Sequence, residues 1–224
     1  MATMMRIKHN CLHSLLLFVA IVLPNLMYAQ SLTEEQKKIF QDRVKQKVED
    51  FEFEMTQIVN TKLSNKNRAE SVRNLLNLFI GQGDPYYYDE FVNADETIRL
   101  HSSGVTMEVS SVNRSRTTTQ KLKKYIYGFF NPETCRSGKS YSYMKVEYSD
   151  ALRVDNIERV GDHYECVAYF VQRFYGYRDG HVVYSDQTGK KIRCYINHIE
   201  LPTGGEIWDA KLGDIYVVST ERIR

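Results

Sequence analysis

The sequence predicts an α+β protein in which N-terminal helices pack on a single, strongly curved antiparallel sheet. A change of periodicity carries this prediction. Between residues 33 and 80, apolar side chains recur every three or four positions, as they do on one face of a helix. From Tyr141 to the C-terminus they alternate at every second position, with turn residues between the segments. Helices followed by a run of strands are typical of the α+β class.

Residues 1–29 are predicted to be a secretory signal peptide. Arg6 and Lys8 precede a run of nine apolar residues, Leu15–Leu23, and we place the cleavage after Ala29. As a helix, nine residues span about 14 Å, well short of the ~30 Å hydrocarbon core of a bilayer. We therefore expect an exported protein, periplasmic or secreted, without stable membrane insertion after cleavage. An uncleaved signal anchor is the alternative.

Charge and motif spacing narrow the classes of function. The chain has 30 basic and 28 acidic residues, and two of the basic ones lie in the predicted signal peptide, which leaves 28 of each sign. Such a chain lacks the positive field that nucleic-acid binding normally needs, so we expect no nucleic-acid partner. No CxxC, HxH or HExxH spacing occurs, so neither a metal site nor a cofactor is expected.

Three helices are predicted. The first covers residues 33–60, where Thr33 and Gln36 form a capping box at its start. A second runs over residues 68–80 and ends at Gly81, and a short third one runs from Thr118 to Phe129. The apolar stripe of the first helix consists of Phe40, Val44, Val48, Phe51 and Met55, and ends at Ile58 or Val59.

The sheet is predicted from short strands at Thr97–His101 and Val105–Ser111, followed by longer ones. The longer strands cover residues 141–148, 152–160, 163–175, 190–200 and 206–220, the last with a break at Gly213. The turns between them are predicted at Gly161-Asp162, Arg178–Gly180, Asp186–Gly189 and Thr203–Gly205. Strand 163–175 is apolar on both faces, which favours a central position in the sheet. Residues 30–224 are expected to form a single domain.

Three cysteines follow the signal peptide: Cys135, Cys166 and Cys194. Cys166 and Cys194 lie on neighbouring predicted strands and both occupy the more apolar alternation. A cross-strand disulfide between them is one interpretation. Two small buried thiols in the core are the other.

The order of the elements resembles the nuclear-transport-factor-two-like fold, the cone-shaped α+β roll of ketosteroid isomerase, scytalone dehydratase and polyketide cyclases. The segments Phe170–Phe174 and Trp208–Ile215 are similar to the late strands of exported bacterial members. The resemblance covers about residues 33–220. It implies a sheet wrapped around a helix, a pocket at the wide end of the cone and frequent dimers, but no particular activity.

Tyr164 and His198 are the candidate pocket residues. If Cys166 faces Cys194 across two strands, Tyr164 faces Ile196 and His198 lies diagonally from it on the core side. A hydroxyl and an imidazole there would suit ligand binding, whereas a buried core histidine and a tyrosine reaching the surface are the structural alternative. No acidic residue falls convincingly on the same face.

Tyrosine is unusually frequent, with sixteen residues in the chain. Tyrosines suit interfaces and sugar stacking, although they also fit half-buried strands. The first functional hypothesis is therefore an exported, non-catalytic binding or interaction module with a protein, glycan or small-molecule partner, acting as a homodimer.

The second hypothesis is a small-molecule binder or a cofactor-free isomerase, dehydratase or cyclase that uses a cone pocket. A third is a structural envelope component that docks a partner through its long helix. An enclosed polar cavity of ~300 Å³ or more would favour the second hypothesis.

Overall fold

The structure is a computed structural model that describes residues 32–84, 86–92, 95–101, 104–130, 141–149, 152–200 and 203–223, with the backbone alone for 86–92 and 95–101. The predicted signal peptide and Cys135 lie outside the described residues. By its internal contacts the chain divides into residues 1–37 and 38–224. The second of these units carries the sheet and the candidate site.

Three α-helices occur among the described residues: α1 (Glu34–Val59), α2 (Asn65–Asn77) and α3 (Leu122–Phe130). The predicted capping box is present, because the backbone N–H of Gln36 donates to Thr33 Oγ1 at 3.2 Å and that of Thr33 donates to Gln36 Oε1 at 3.0 Å. The second helix begins earlier than predicted, because Ser64 caps it by accepting the Asn67 N–H. The third begins later, since residues 118–121 form a strand.

The described residues form nine strands: β1 (Tyr86–Val92), β2 (Asp95–His101), β3 (Thr106–Val109), β4 (Thr118–Lys121), β5 (Tyr143–Tyr148), β6 (Arg153–Val160), β7 (His163–Arg178), β8 (His181–Glu200) and β9 (Glu206–Arg222). Strands β1 and β2 form a separate two-stranded sheet in the part of the chain that the structure describes. The other seven form one sheet in the order β4-β3-β9-β8-β7-β5, with β6 also paired to β7. All pairs are antiparallel except β3–β9, where Met107 lies beside Ile215. The predicted α+β class is confirmed, with this parallel pair added.

The prediction of a turn at Asp186–Gly189 is wrong. Strand β8 runs without interruption through this segment and pairs with β7 along nearly its whole length. The polar residues Asp186 and Thr188 resemble a turn in composition, but they alternate along the strand and face inward. The predicted break at Gly213 takes the form of a β-bulge, because Ile192 pairs with Ile215 and Cys194 with Leu212, which leaves one extra residue on β9 between them. Gly213 stays in β9, where a Cβ atom would lie 2.6 Å from the Tyr195 ring.

The core lies between α1 and one face of the sheet. Every residue of the predicted α1 stripe is buried, and so are Cys166, Ala168, Phe170 and Ile192 on the facing strands. The Phe51 ring packs edge-on against Phe170 with the centroids 5.9 Å apart. The amphipathic stripe is thus confirmed as the surface that covers the sheet.

Arg68 fixes the relative positions of the three helices. It is 5% exposed, and its Nε donates to the Ile58 carbonyl at 2.8 Å while its Nη2 donates to the Phe129 carbonyl at 2.9 Å. Both acceptors are in the last turn of a helix, where carbonyls lack an intrahelical partner. One side chain of α2 therefore ties the ends of α1 and α3 together. Among the described residues, no helix is both long and apolar enough to cross a membrane.

Candidate functional site

A cavity of about 440 Å³ lies between α3 and the sheet. Its floor is made by alternate residues of β8, namely Tyr184, Asp186, Thr188 and Lys190. Alternate residues of a strand share one face, and the six residue steps from Tyr184 to Lys190 span about 20 Å, so these side chains form one continuous row. On β7, Gln172 pairs with Thr188 and Phe174 with Asp186, which widens the floor by a second strand.

Aromatic rings form the walls of the cavity. Phe174 stands near the centre, with ring centroids 6.3 Å from Phe129, 6.0 Å from Tyr141 and 5.9 Å from Tyr184. Tyr141 can approach the sheet only because residue 176 is glycine. A Cβ atom at Gly176 would lie 2.4 Å from the Tyr141 ring. The result is an aromatic lining suited to an apolar or aromatic molecule.

Lys190 places an amine in this apolar surrounding. The residue is 4% exposed, and its Nζ lies 5.6 Å from the centroid of the Tyr125 ring. Burial lowers the pKa of Lys190 to about 7, and the negative charge of Asp186 offsets this only in part. Near neutral pH the neutral amine is therefore accessible, and it is both a base and a nucleophile.

Asp186 and Tyr184 form a hydrogen-bonded acid pair at the other end of the floor. The Tyr184 hydroxyl donates to Asp186 Oδ2, and the Ser111 hydroxyl lies 2.7 Å from the Tyr184 oxygen, to which it can donate. Burial raises the pKa of Asp186 and, together with the bond to Asp186, raises the pKa of Tyr184 to about 12. The Tyr184 hydroxyl of this pair therefore stays protonated beside the cavity around neutral pH.

Tyr125 and Gln172 complete the polar groups. They form a side-chain hydrogen bond, and burial raises the pKa of Tyr125 well above its usual value. The phenol therefore stays protonated and can act only as a neutral donor or acceptor. At the mouth, Asn113 and Arg114 are exposed and connect the cavity with solvent.

The predicted pocket residues Tyr164 and His198 lie elsewhere. The predicted register is confirmed, since Tyr164 pairs with Ile196 and Cys166 with Cys194. Both rings pack on Trp208, with centroid distances of 5.5 Å from Tyr164 and 4.9 Å from His198. Neither residue lines the cavity described above. A ligand-binding role for them stays a prediction.

Cys166 and Cys194 face each other across β7 and β8 and are 2% and 0% exposed. Both are free thiols in the structure. Burial, followed by the neighbouring Cys166 thiol, raises the pKa of Cys194 well above its usual value, so it is a poor nucleophile. The disulfide between them stays a prediction.

Sequence reasoning missed Asp186 and Lys190, the two ionisable residues of the cavity floor. The signal was present, because residues 184, 186, 188 and 190 keep the period of two. This alternation was overlooked because Asp186–Gly189 was interpreted as a turn. Once the segment is recognised as a strand, an acid and an amine fall on the same face.

Comparisons with known proteins leave the class open. No protein-family model and no curated protein matches this chain. Among solved structures it is similar to a protein of Novosphingobium aromaticivorans described as a "putative scytalone dehydratase", with 8% identity and a TM-score of 0.40 over 86% of this chain and 93% of that one. A likeness of this size carries no argument about activity. Within the described residues no cluster of three or more His, Cys, Asp or Glu side chains could hold a metal ion.

Proposed function

We propose that the protein is an exported small-molecule-binding protein of the cofactor-free isomerase or dehydratase type, and that the cavity over β8 is its site. The observation that carries this proposal is the buried Lys190 on the floor of a ligand-sized cavity. Burying an amine without a close ion pair costs free energy of folding, so such a group at a cavity is a candidate for function. The cavity of about 440 Å³ lies within the range of ordinary ligand sites.

The lining indicates how a ligand would be oriented. Phe129, Phe174 and Tyr141 offer an apolar surface for the body of the molecule. Lys190 and the Tyr184–Asp186 pair offer a base and a proton donor for its oxygen-bearing end. A molecule with an aromatic or aliphatic body and one carbonyl or hydroxyl group fits this division.

The same groups support proton transfer next to a carbonyl. The neutral Lys190 amine would take a proton from the carbon beside the carbonyl, while the Tyr184–Asp186 pair would hold the developing charge on its oxygen. Returning the proton to another carbon completes an isomerisation, and loss of a hydroxyl group completes a dehydration. Neither reaction needs a redox step.

The proposal is tested with hydrocinnamaldehyde, whose phenyl ring and aldehyde match the two parts of the cavity. We expect the protein to accelerate exchange of the hydrogens beside its carbonyl for deuterium in heavy water, followed by NMR. Asn113→Trp at the exposed mouth should block access and abolish the acceleration. The matched control is Glu70→Trp, on the exposed face of α2, which should leave the rate unchanged.

Binding is measured separately with hydrocinnamyl alcohol, which has no carbonyl to react. If the protein binds the alcohol, Asn113→Trp removes this binding, and the aldehyde shows no deuterium exchange, the protein is the non-catalytic binding module predicted from the sequence. Absence of binding and of exchange for both probes would reject the cavity as a site for this class of molecule.

A further inference from the structure

Two consecutive lysines of β8 have opposite surroundings. Lys190 lies on the inner face and lines the cavity, while Lys191 points to the outer face, where it is exposed and packs over the Tyr216 ring. The alternation of a strand separates them completely although they are neighbours in sequence. The exposed Lys191 amine can therefore serve as an internal reference for the reactivity of the buried Lys190 amine.

The surroundings of Lys190 favour a nucleophilic amine. On β7 it pairs with Phe170 and on β9 with Val217, while the Tyr125 ring of α3 covers its Nζ. The titratable groups that face it are Asp186, on its own strand, and Tyr125. An amine that is desolvated in an apolar pocket, beside a space large enough for a substrate, has the requirements for covalent capture of a carbonyl group.

We propose that Lys190 captures an aldehyde or ketone group of the bound molecule as an imine. This inference rests on the proposed function, because it assumes that a small organic molecule enters the cavity. It goes further by naming the substrate class, carbonyl compounds, and by making Lys190 a covalent catalyst in place of a base.

The reaction balances with the side chains that line the cavity. The lone pair of the Lys190 Nζ attacks the carbonyl carbon and forms a C–N bond. The nitrogen gives up its two hydrogens as protons, and the carbonyl oxygen takes up two protons. The C–O bond breaks, and the oxygen leaves as water. The Tyr184–Asp186 pair lies on the same floor and can supply and recover a proton during the step. No oxidant or reductant is required.

The covalent step also serves the proposed reaction class. A protonated imine withdraws electrons from the neighbouring carbon more strongly than the free carbonyl does. Because the Lys190 nitrogen is then bonded to the ligand, the Asp186 carboxylate would take the proton from that carbon, and loss of a hydroxyl group one carbon further away becomes easier as well. Hydrolysis reverses the capture and releases the product and the free Lys190.

The test is reductive trapping with hydrocinnamaldehyde and sodium cyanoborohydride at pH 7, followed by chymotryptic digestion and tandem mass spectrometry, whose fragment ions distinguish the adjacent Lys190 and Lys191. An ordinary exposed lysine, with a pKa of about 10.4, is almost entirely protonated at this pH, so we expect at least about tenfold more adduct on Lys190 than on Lys191. Lys190→Met should remove the dominant adduct, and Lys191→Met should leave it. Because both lysines report within the wild-type map, the result does not depend on whether a variant folds.

The outcomes separate this inference from the proposed function. Equal or lower labelling of Lys190, in a protein that still binds hydrocinnamyl alcohol in the cavity, overturns imine formation and leaves the binding site intact. If the alcohol also fails to bind, both the imine and the proposed function are rejected for these carbonyl compounds. Selective labelling that Asn113→Trp suppresses supports both.

Discussion

Lys190 and Asp186 place ionisable groups where water is largely excluded, with 4% and 5% of their surface exposed. Burial moves the two pKa values toward each other: that of the amine falls to about 7 and that of the carboxyl rises. Both shifts favour the neutral form of the group. The floor of the cavity therefore contains an amine whose neutral form is accessible near neutral pH and a carboxyl that holds its proton more tightly than an exposed one does.

Replacing Lys190 with methionine should stabilise the protein, because it removes a buried charge and keeps a side chain of similar volume. We expect a gain of about 2–4 kcal/mol in the free energy of unfolding at pH 6. Below pH 7 Lys190 is protonated in both states and its burial costs most. As the pH rises toward the unfolded pKa of about 10.4, the folded state releases its proton first, so wild-type stability rises and the gain shrinks. Urea unfolding at pH 6 and pH 9 measures this, and an equal gain at both values would contradict the buried amine.

Replacing Tyr184 with phenylalanine removes the hydroxyl that stabilises the Asp186 carboxylate. The pKa of Asp186 should rise further, and the protein should lose about 1–2 kcal/mol at pH 7. The loss should be smaller at pH 4, where Asp186 is more fully protonated and needs no donor. Unfolding at the two pH values tests this. The control is Tyr169→Phe on the outer face of β7. A comparable loss of stability in this variant would argue against a specific role of the Tyr184–Asp186 pair.

The elements differ in how far the sequence could predict them. Helix α1 was predicted nearly residue by residue, because its apolar stripe is continuous and its capping box is local. Only residues 190–200 of strand β8 were predicted, because Asp186 and Thr188 are polar residues that face inward. An inward-facing polar residue contradicts the alternation rule on which strand prediction depends. The segment that was interpreted as a turn, Asp186–Gly189, lies in the floor of the cavity. Functional sites are the places where a sequence is expected to depart from local structural rules.

Gly176 permits one wall of the cavity, so Gly176→Ala should disrupt that wall. The new methyl group would overlap the Tyr141 ring, which must move away from Phe174. We expect a destabilisation of about 1–3 kcal/mol and weaker binding of hydrocinnamyl alcohol. Thermal unfolding and a binding titration measure the two effects.

The control for this change is Gly128→Ala on α3, where a Cβ atom would meet nothing within 4 Å. Alanine should stabilise that helix by up to about 1 kcal/mol and leave binding unchanged. A similar loss of affinity in both variants would mean that Tyr141 does not contribute a wall.

At the scale of the whole molecule, the class of fold was predictable but the place of the site was not. The cavity gathers residues from β3, α3, β7 and β8, and these segments are far apart in the chain. The pairing of β7 with β8 was derived correctly from the two cysteines, but the position of α3 over the sheet was not. That position depends on Arg68, whose contacts with Ile58 and Phe129 have no signature in sequence.

Export, the disulfide and the homodimer remain proposals for the whole molecule. Mass spectrometry of the protein purified from its host tests all three. We expect the mass of the denatured protein to equal that of a chain that begins at Gln30. A mass lower by two hydrogen atoms would indicate the disulfide between Cys166 and Cys194, and a doubled native mass would indicate the dimer. An intact N-terminal segment would contradict export with cleavage after Ala29.

The chain has a single tryptophan, Trp208, which packs against Phe40, Tyr164 and His198. His198 and Lys190 are eight positions apart on β8, a distance of about 27 Å along the strand. The indole fluorescence therefore reports on the contact between α1 and the late strands rather than on the cavity. Tyrosine absorbance, by contrast, comes partly from rings that line the cavity. Tryptophan emission excited at the red edge of the absorption band should stay constant during a ligand titration, whereas unfolding of α1 should change it. One sample therefore yields tryptophan emission as a signal of folding and tyrosine absorbance as a signal of binding.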